Sequence, residues 1–406
     1  MLDVAAIRAQ FPGLAGTAHG KPLVYLDSAA TAQKPEAVIA RMDRFLRTEY
    51  GTVHRGLYER SVRSTKLYED ARRTVARFVN AGSEREIVFT MGCTDAINLV
   101  AWSWGRANLR RGDQVLVTAM EHHANIVPWH ILAEMTGIEL VPCPMTDDGA
   151  LDLEAFDRLL RSGRVKLVSL IHIANSLGTV NPVAELAKRA HAAGALVLVD
   201  AARSVPHRRV DVRALDCDFL AFSSHKLYGP TGIGVLYAKQ ALLDAMPPWR
   251  GGGEMIEKVT FAGTTFAPAP ARFEAGTPPI VEAIGLAAAC DWLTAIGLDA
   301  IEANERDLFA YAEAALDQVD GLRRIGRAPE RSTVLSFVMD GAHPADIANI
   351  LDMEGVAVRA GNHCAQPVMA RYGIPATARA SLGVYTTRED IDRLVAGLRK
   401  VAEIFA

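Results

Sequence analysis

The chain has 406 residues, half of them hydrophobic, and a formal net charge of -3 at pH 7. This length exceeds that of one ordinary domain and predicts two or three packed units. No long basic run is present in the sequence, so nucleic acid is not an expected partner. Polar residues interrupt every apolar run before membrane-spanning length, and the sequence shows no secretion signal. We therefore expect a cytoplasmic protein without membrane contact.

The five cysteines are widely spaced and include no Cys-x-x-Cys pair. An odd number with this spacing disfavours a disulfide framework and a thiolate metal site, and it fits a reducing compartment. Cys93, Cys143, Cys217 and Cys290 lie in or beside apolar stretches, which is typical of packing residues. Cys364 lies instead in a short glycine-containing loop.

Short apolar segments alternate with segments of helical periodicity through the middle of the chain. The predicted strands cover residues 86–89, 114–118, 165–172, 195–199, 219–222, 234–238 and 334–339. The predicted helices cover residues 95–104, 182–193 and 280–296. Strands separated by helices indicate an α/β fold with a large, mostly parallel sheet covered on both faces.

A segment rich in Gly, Pro and Thr, residues 251–279, interrupts this alternation and predicts an extended excursion or a hairpin. Beyond residue 296, helices mix with short strands, which is an α+β pattern. We expect a large α/β domain at residues 20–275 and a smaller α+β domain made of residues 1–19 and 276–406.

A lysine follows the strand predicted at residues 219–222. The sequence runs Ser223-Ser224-His225-Lys226 and continues into a glycine-rich turn. Desolvation at a strand end lowers the pKa of an amine and makes it a better nucleophile, as a Schiff base with an aldehyde cofactor requires. A lone lysine is more commonly on an exposed turn, but here the neighbouring residues also supply donors for a phosphate.

Two more segments end at the same edge of the predicted sheet. Asp200 closes the strand at residues 195–199, where a carboxylate can pair with a protonated pyridine nitrogen; helix capping is the alternative. Gly92-Cys93-Thr94 opens a helix after the strand at residues 86–89. Backbone N–H groups and a hydroxyl at a helix start form either a phosphate site or a plain cap.

Adjacent histidines, His122 and His123, follow the strand at residues 114–118. Neighbouring side chains point in different directions and no third ligand lies at metal spacing, so we expect no metal site. An imidazole stacked on a flat cofactor ring is one interpretation, and a solvated loop histidine is the other.

The last cluster contains Arg359, Cys364 and Arg379. A thiol near cationic groups on a short loop is partly thiolate and therefore nucleophilic. A guanidinium can bind a substrate carboxylate through two parallel hydrogen bonds, although a surface ion pair is the alternative for Arg379.

Together these segments resemble the fold-type-I pyridoxal-phosphate enzymes of the class V aminotransferase superfamily, and more narrowly the group II (SufS-type) cysteine desulfurases. The similarity extends from Tyr25 to Tyr385. Its motifs are VHRG at residues 53–56, MEHHANIVPW at 120–129, HKLYGPTG at 225–232, RFEAGTP at 272–278 and RAGNHC at 359–364.

The resemblance implies a role for each candidate. Lys226 is expected to hold pyridoxal 5'-phosphate and to carry the substrate α-proton, with Asp200 on the ring nitrogen and His123 stacked on the ring. The other expected cofactor-binding residues are Cys93, Thr94, Arg203, Ser223, His225 and Thr277, the last reaching the phosphate in the other subunit of a homodimer. The substrate carboxylate is expected at Asn175 and Arg379, with Arg359 close by, and Cys364 is expected to attack the substrate sulfur.

The implied reaction converts L-cysteine to L-alanine and leaves a persulfide on Cys364. The persulfide then passes to an acceptor protein of the SufE or SufU kind for iron–sulfur cluster assembly. Related enzymes act on selenocysteine or cysteine sulfinate, whose leaving group needs no enzyme thiol, so selenocysteine lyase or cysteine sulfinate desulfinase activity is the alternative. A sulfur-relay protein with little turnover is a third possibility.

One position departs from the family in a chemically important way. Where relatives usually have Gln bound to the phenolic oxygen of the cofactor, this chain has Arg203. Our hypothesis is that Arg203 faces the cofactor and stabilises its phenolate, which lowers the pKa of the bound cofactor. Pairing with Asp200, or a side chain that turns away, are the alternatives. Milder departures occur at Asp95, Ser224, Ala360, Asn362 and Thr386.

Overall fold

The computed structural model describes residues 2–405. Its α-helices are, in chain order, α1 (Val4–Arg8), α2 (Glu36–Arg44), α3 (Glu59–Phe78), α4 (Cys93–Val100), α5 (Arg106–Asn108), α6 (Val127–Thr136), α7 (Leu153–Leu160), α8 (Val183–Ala192), α9 (Val212–Leu215), α10 (Gln240–Ala245), α11 (Ile280–Ile296), α12 (Leu298–Leu316), α13 (Pro344–Met353), α14 (Gln366–Arg371) and α15 (Arg388–Phe405). Helices α2 and α4 continue through π turns at Phe45–Glu49 and Ala101–Gly105.

The β-strands are also numbered in chain order. They are β1 (Thr17–Ala18), β2 (Lys21–Pro22), β3 (Val24–Tyr25), β4 (Ile87–Thr90), β5 (Gln114–Thr118), β6 (Glu139–Cys143), β7 (Val165–Ile171), β8 (Leu196–Asp200), β9 (Phe219–Ser223), β10 (Gly234–Ala238), β11 (Ile256–Thr260), β12 (Gly263–Phe266), β13 (Leu322–Ile325), β14 (Val334–Met339), β15 (Val356–Ala357), β16 (Arg359–Gly361) and β17 (Thr377–Ser381).

The large sheet has seven strands in the order β4-β10-β9-β8-β7-β5-β6. Strand β10 is antiparallel to both of its neighbours, and the remaining pairs are parallel. Every residue of β4, β5, β9 and β10 is buried, because core side chains pack against both faces of the sheet. The predicted α/β fold with a mostly parallel sheet is confirmed.

The predicted elements are all present. Strands β5, β10 and β14 and helix α11 have the predicted bounds. Strands β7 and β9 differ from the predicted bounds by one residue at one end, and β4 and β8 are shifted by one residue. The helix predicted at residues 95–104 starts two residues earlier and ends in a π turn. Strand β6 was not predicted, because it is an edge strand that contains Pro142 and its burial does not alternate.

The segment at residues 251–279 contains the hairpin that its composition predicted. Strands β11 and β12 pair antiparallel with a register shift near Lys258. Most of their side chains are exposed, including Val259, and Phe261 in the turn between them is fully exposed. The hairpin therefore packs little of its surface against the rest of the chain.

A second sheet, antiparallel and in the order β13-β14-β17-β16, packs with α12, α13 and α15 around its own apolar core. Strand β3 pairs in parallel with β15, which links residues near the start of the chain to this region. The division at residues 20–275 and 276–406 stays a prediction, and its outermost residues, Met1 and Ala406, lie outside the described part of the chain.

Between residues 2 and 405, no single helix is long and apolar enough to cross a bilayer. Helices α11 and α12 reach that length and composition only as a pair, and they are bent by 75° at their junction. Most of the apolar side chains of α11 are buried in the protein core.

Candidate active site

The start of α4 lies against the end of β9. The backbone N–H of Cys93 donates to Ser223 Oγ over 2.8 Å. Gly234 on β10 allows this approach, because a Cβ atom at that position would lie only 2.5 Å from Gly92 Cα. Thr94 is exposed beside the free N–H groups of the first helical turn. A helix start with these groups can bind a phosphate.

Asp200 and Lys226 occupy the carboxyl ends of the adjacent strands β8 and β9. Asp200 is only 3% exposed, and its Oδ1 accepts from the Ala202 N–H at 2.9 Å and from the Cys93 thiol at 3.4 Å. Burial lowers the pKa of Lys226, while Asp200 opposes this change and Arg203 adds to it. The Lys226 amine is therefore a better nucleophile than an exposed lysine.

The two adjacent histidines face different structures. His122 lines the same cavity as Lys226, and its Nδ1 accepts from the Ala124 N–H at 3.0 Å. Burial, followed by the charge of Lys226, lowers the pKa of His122 to about 4, so its imidazole is neutral.

His123 contacts the cysteine loop instead. Its N–H donates to Cys364 O at 2.8 Å, and its Nε2 accepts from the Gln366 N–H at 3.2 Å. His122 lines the cavity and His123 is not among its lining residues, and the predicted stacking of His123 on the cofactor ring stays a prediction. His123 begins the 3₁₀ turn at His123–Asn125.

Cys364 is the only exposed thiol among the five described cysteines, and the other four are buried as predicted. It and His363 both have left-handed backbone angles, with φ of 55° and 54°. Asn362 Oδ1 accepts from the Cys364 N–H at 2.9 Å, and the amide of Asn175 donates to His363 O at 2.6 Å. These bonds hold the thiol at the cavity mouth in a conformation that costs free energy for non-glycine residues.

Arg379 on β17 is 2% exposed and forms the cationic wall of the cavity. Its guanidinium donates to Asn175 O at 3.0 Å and to Asp27 Oδ1 at 3.2 Å. Its Nε and the side-chain oxygen of Asn175 are buried without a hydrogen-bond partner. Arg359 lies opposite Arg379 in the β16–β17 register and is exposed.

Arg203 is buried and lines the cavity as well. Its guanidinium donates to Ser28 O at 3.3 Å and to Thr333 Oγ1 at 3.0 Å, and its Nε has no partner. Burial and the nearby Arg379 lower the pKa of Arg203 to about 10, so it stays positively charged at neutral pH. Neither of these two hydrogen bonds involves Asp200.

The cavity has a volume of about 450 Å³, and all the predicted site residues line it except His123 and Thr277. Thr277 is exposed and lines a separate cavity of about 370 Å³ beside Met91 and Glu274. Within residues 2–405, no group of three or more His, Cys, Asp or Glu side chains is arranged to hold a metal ion.

Residues outside the predicted set also support the site. Asp27 pairs with Arg379, and Thr31 and Lys34 bind the main chain next to Lys226. They belong to the segment that begins at Tyr25, where the family resemblance starts. Sequence spacing gave no signal for their contacts, because they reach residues that are distant in the chain.

The fold and the cavity define a class of protein. A family model for class-V aminotransferases matches residues 24–394. The chain therefore belongs to the class-V aminotransferase family.

Within this family, the chain is an enzyme of the cysteine desulfurase group. It is 50% identical over 404 residues to a probable cysteine desulfurase of Vibrio cholerae, with 100% of both chains covered. It is 52% identical over 396 residues to a cysteine desulfurase of Dickeya dadantii, covering 97% of this chain and 96% of the relative. The crystal structure of the cysteine desulfurase CsdA from Escherichia coli superposes with a TM-score of 0.92 at 41% identity and covers 100% of both chains. This group depends on pyridoxal phosphate.

Proposed function

We propose that this enzyme converts L-cysteine to L-alanine with pyridoxal phosphate held by Lys226, and that Cys364 collects the sulfur as a persulfide. One observation carries the proposal. The exposed thiol of Cys364, the partly buried amine of Lys226 and the buried guanidinium of Arg379 line a single cavity. We also propose membership of the group II (SufS-type) subgroup, which the compact cysteine loop supports.

The residues of the cavity fit the cofactor. Lys226 offers an amine to an aldehyde, Asp200 a carboxylate to a ring nitrogen, and the start of α4 offers N–H groups to a phosphate, together with Ser223 and His225. When bound, pyridoxal phosphate supplies an electron sink for the substrate α-carbon. We propose that His123 stacks on the ring, as the family resemblance implies, with the neighbouring His122 on the cavity wall.

Arg379 is the proposed partner of the substrate carboxylate. Its unpaired Nε–H and the nearby charge of Arg359 supply donors and positive potential, and Asn175 borders the same space. Asp27 holds the Arg379 guanidinium from the other side. The substrate is thereby oriented with its α-carbon toward Lys226, whose amine takes the α-proton.

The sulfur step belongs to Cys364. Its thiolate forms a bond to the substrate sulfur while the substrate Cβ–S bond breaks. The electron pair of that bond stays with the carbon skeleton, which is released as L-alanine after proton transfer. The persulfide then remains on an exposed loop, where an acceptor protein can reach it.

The exposure of Cys364 and the position of Thr277 each indicate a protein partner. We propose that an acceptor of the SufE or SufU kind takes the persulfide for iron–sulfur cluster assembly in the cytoplasm. We further propose a homodimer in which Thr277 of each subunit reaches the phosphate site of the other. The separation of Thr277 from the cavity of its own subunit supports this arrangement.

The substitution Cys364→Ala tests the role of the thiol. We expect it to reduce alanine formation from L-cysteine by more than about 100-fold, because the nucleophile is lost. Selenocysteine turnover should continue, since selenium can leave without an enzyme thiol. Alanine is measured from each substrate, and the absorption band of the bound cofactor serves as the control for an intact site. Undiminished cysteine turnover would show that Cys364 is not the sulfur acceptor.

A further inference from the structure

The main-chain carbonyl of His225 receives an unusual number of hydrogen bonds. The Ala32 N–H donates to it at 3.0 Å, the Lys34 ammonium at 2.9 Å and the Thr31 hydroxyl at 3.3 Å. A carbonyl oxygen has two lone pairs, so three donors saturate it. This carbonyl belongs to the peptide bond that joins His225 to Lys226.

Lys34 makes this contact at a cost. The residue is partly buried, and its ammonium donates to Ala32 O at 2.7 Å and to His225 O, both of which are uncharged carbonyls. Burial lowers the pKa of Lys34 to about 8, because the charged form loses hydration. Removing an ammonium from water costs free energy, and hydrogen bonds to two uncharged carbonyls offset that cost less fully than a carboxylate partner would.

Thr31 extends the same contact to the His225 ring. His225 Nδ1 lies 3.2 Å from Thr31 Oγ1. Because the Thr31 proton goes to the His225 carbonyl, the ring nitrogen is the donor in this pair. Nε2 is then the His225 ring nitrogen left for the cavity that the residue lines. Thr31 thus holds both the peptide before Lys226 and the ring of His225, and Lys34 holds the same peptide.

We propose that Lys34, together with Thr31, is a positioning residue that holds the His225–Lys226 peptide fixed while the Lys226 amine moves between cofactor and substrate. This inference rests on the proposed function. Lys226 must alternate between two partners, and a fixed backbone lets its side chain reach both without moving the turn. In this role Lys34 contacts neither substrate nor cofactor. It acts only through the peptide bond that joins His225 to Lys226.

The experiment uses the full holoenzyme and compares Lys34→Met with Lys34→Arg. Lys188→Met, on the exposed face of α8, is the matched control. Three quantities are measured: the circular dichroism of the cofactor band per bound cofactor, kcat for L-cysteine, and KM for L-cysteine. The first reports the placement of the cofactor against Lys226 and needs no turnover.

We expect Lys34→Met to reduce the cofactor ellipticity and to lower kcat about tenfold while KM changes less than about twofold, because the amine is misplaced and the substrate clamp is intact. Lys34→Arg should restore most of both quantities, and Lys188→Met should match the wild type. Normal ellipticity and normal kcat in Lys34→Met would overturn the proposal, and so would failure of Lys34→Arg to restore them.

A second pair of variants keeps the test decisive if Lys34→Met does not fold. Thr31→Val removes the hydroxyl with little change in size, and Thr31→Ser retains it. Thr31→Val should show the same loss of ellipticity and Thr31→Ser should not; equal signals would overturn the proposal. Absence of cysteine turnover in the wild type would contradict the proposed function instead, and the ellipticity comparison would still decide the role of Lys34.

Discussion

Three guanidinium groups line one small cavity, and only one of them has a carboxylate partner among its hydrogen bonds. Arg379 pairs with Asp27, whereas Arg203 donates only to an uncharged carbonyl and a hydroxyl. Arg359 adds a third positive charge at the mouth. The cavity therefore has a positive potential that favours anionic groups on substrate and cofactor.

The effect of the Arg203 charge on the bound cofactor can be tested by a pH titration. The family resemblance implies that the residue at position 203 meets the phenolic oxygen of the cofactor, and our hypothesis is that Arg203 does so here. In Arg203→Gln we expect the midpoint of the pH titration of the cofactor's visible band to rise by about one pH unit, because a cation favours the phenolate.

The control for that titration is Arg203→Lys, which keeps a positive charge and should keep a midpoint close to that of the wild type. Equal midpoints in the wild type and in Arg203→Gln would contradict the hypothesis and would indicate that the guanidinium acts only on Ser28 and Thr333.

Among the elements, helix α3 is joined to β4 and to the segment after the hairpin by one buried carboxylate. Glu274 accepts two hydrogen bonds from Arg72, at 2.6 and 2.9 Å, and one each from the Phe89 N–H and the Tyr68 hydroxyl. Arg72 is only 3% exposed, so its charge depends on this partner. The contact orients the chain that leads to Thr277.

Glu274→Ala should lower the free energy of unfolding by about 3–5 kcal/mol, because it leaves the Arg72 guanidinium buried without its main counter-charge. Urea denaturation at one fixed protein concentration measures the change. The double variant Arg72→Met/Glu274→Met should recover part of the loss. A loss below about 1 kcal/mol in Glu274→Ala would show that Arg72 finds another partner or solvent.

The pattern of hydrophobic residues in the sequence was sufficient to predict the strands that end at the candidate site. Central strands such as β8 and β9 are short, apolar runs with polar residues at their carboxyl ends, so Asp200 and Lys226 were expected at one edge. The pattern gave no information on the contact between His123 and the cysteine loop, because Gln366 lies 243 residues away in the chain. It also could not find Lys34, whose contact spans 191 residues.

For the molecule as a whole, buried neutral histidines link stability to pH. Burial lowers the pKa of His172 and of His363 to about 3, and that of His225 to about 4. In the unfolded chain these side chains gain protons near pH 6.5, whereas in the fold they stay neutral. The unfolded state therefore binds more protons between about pH 6.5 and pH 4, and stability falls as the pH falls through this window.

His172→Gln tests this dependence without altering the proposed site residues. Removing one such histidine should reduce the slope of unfolding free energy against pH, between pH 6 and pH 4, by up to about 1.4 kcal/mol per pH unit. The exposed His130 provides the matched control, His130→Gln, which should leave the slope unchanged. If both variants keep the wild-type slope, His172 is not protonated differently in the two states.

The ion pair between Asp27 and Arg379 joins two residues that are translated at very different times. The two residues are 352 positions apart, and Ser381 also donates to Leu26 O at 2.7 Å. A nascent chain that has emerged past β10 already carries Asp200 and Lys226, yet neither Arg379 nor Cys364 has been translated. The proposed nucleophile and the proposed substrate clamp are therefore translated after the proposed cofactor residues, so a nascent chain that stops before them cannot carry out the proposed sulfur transfer.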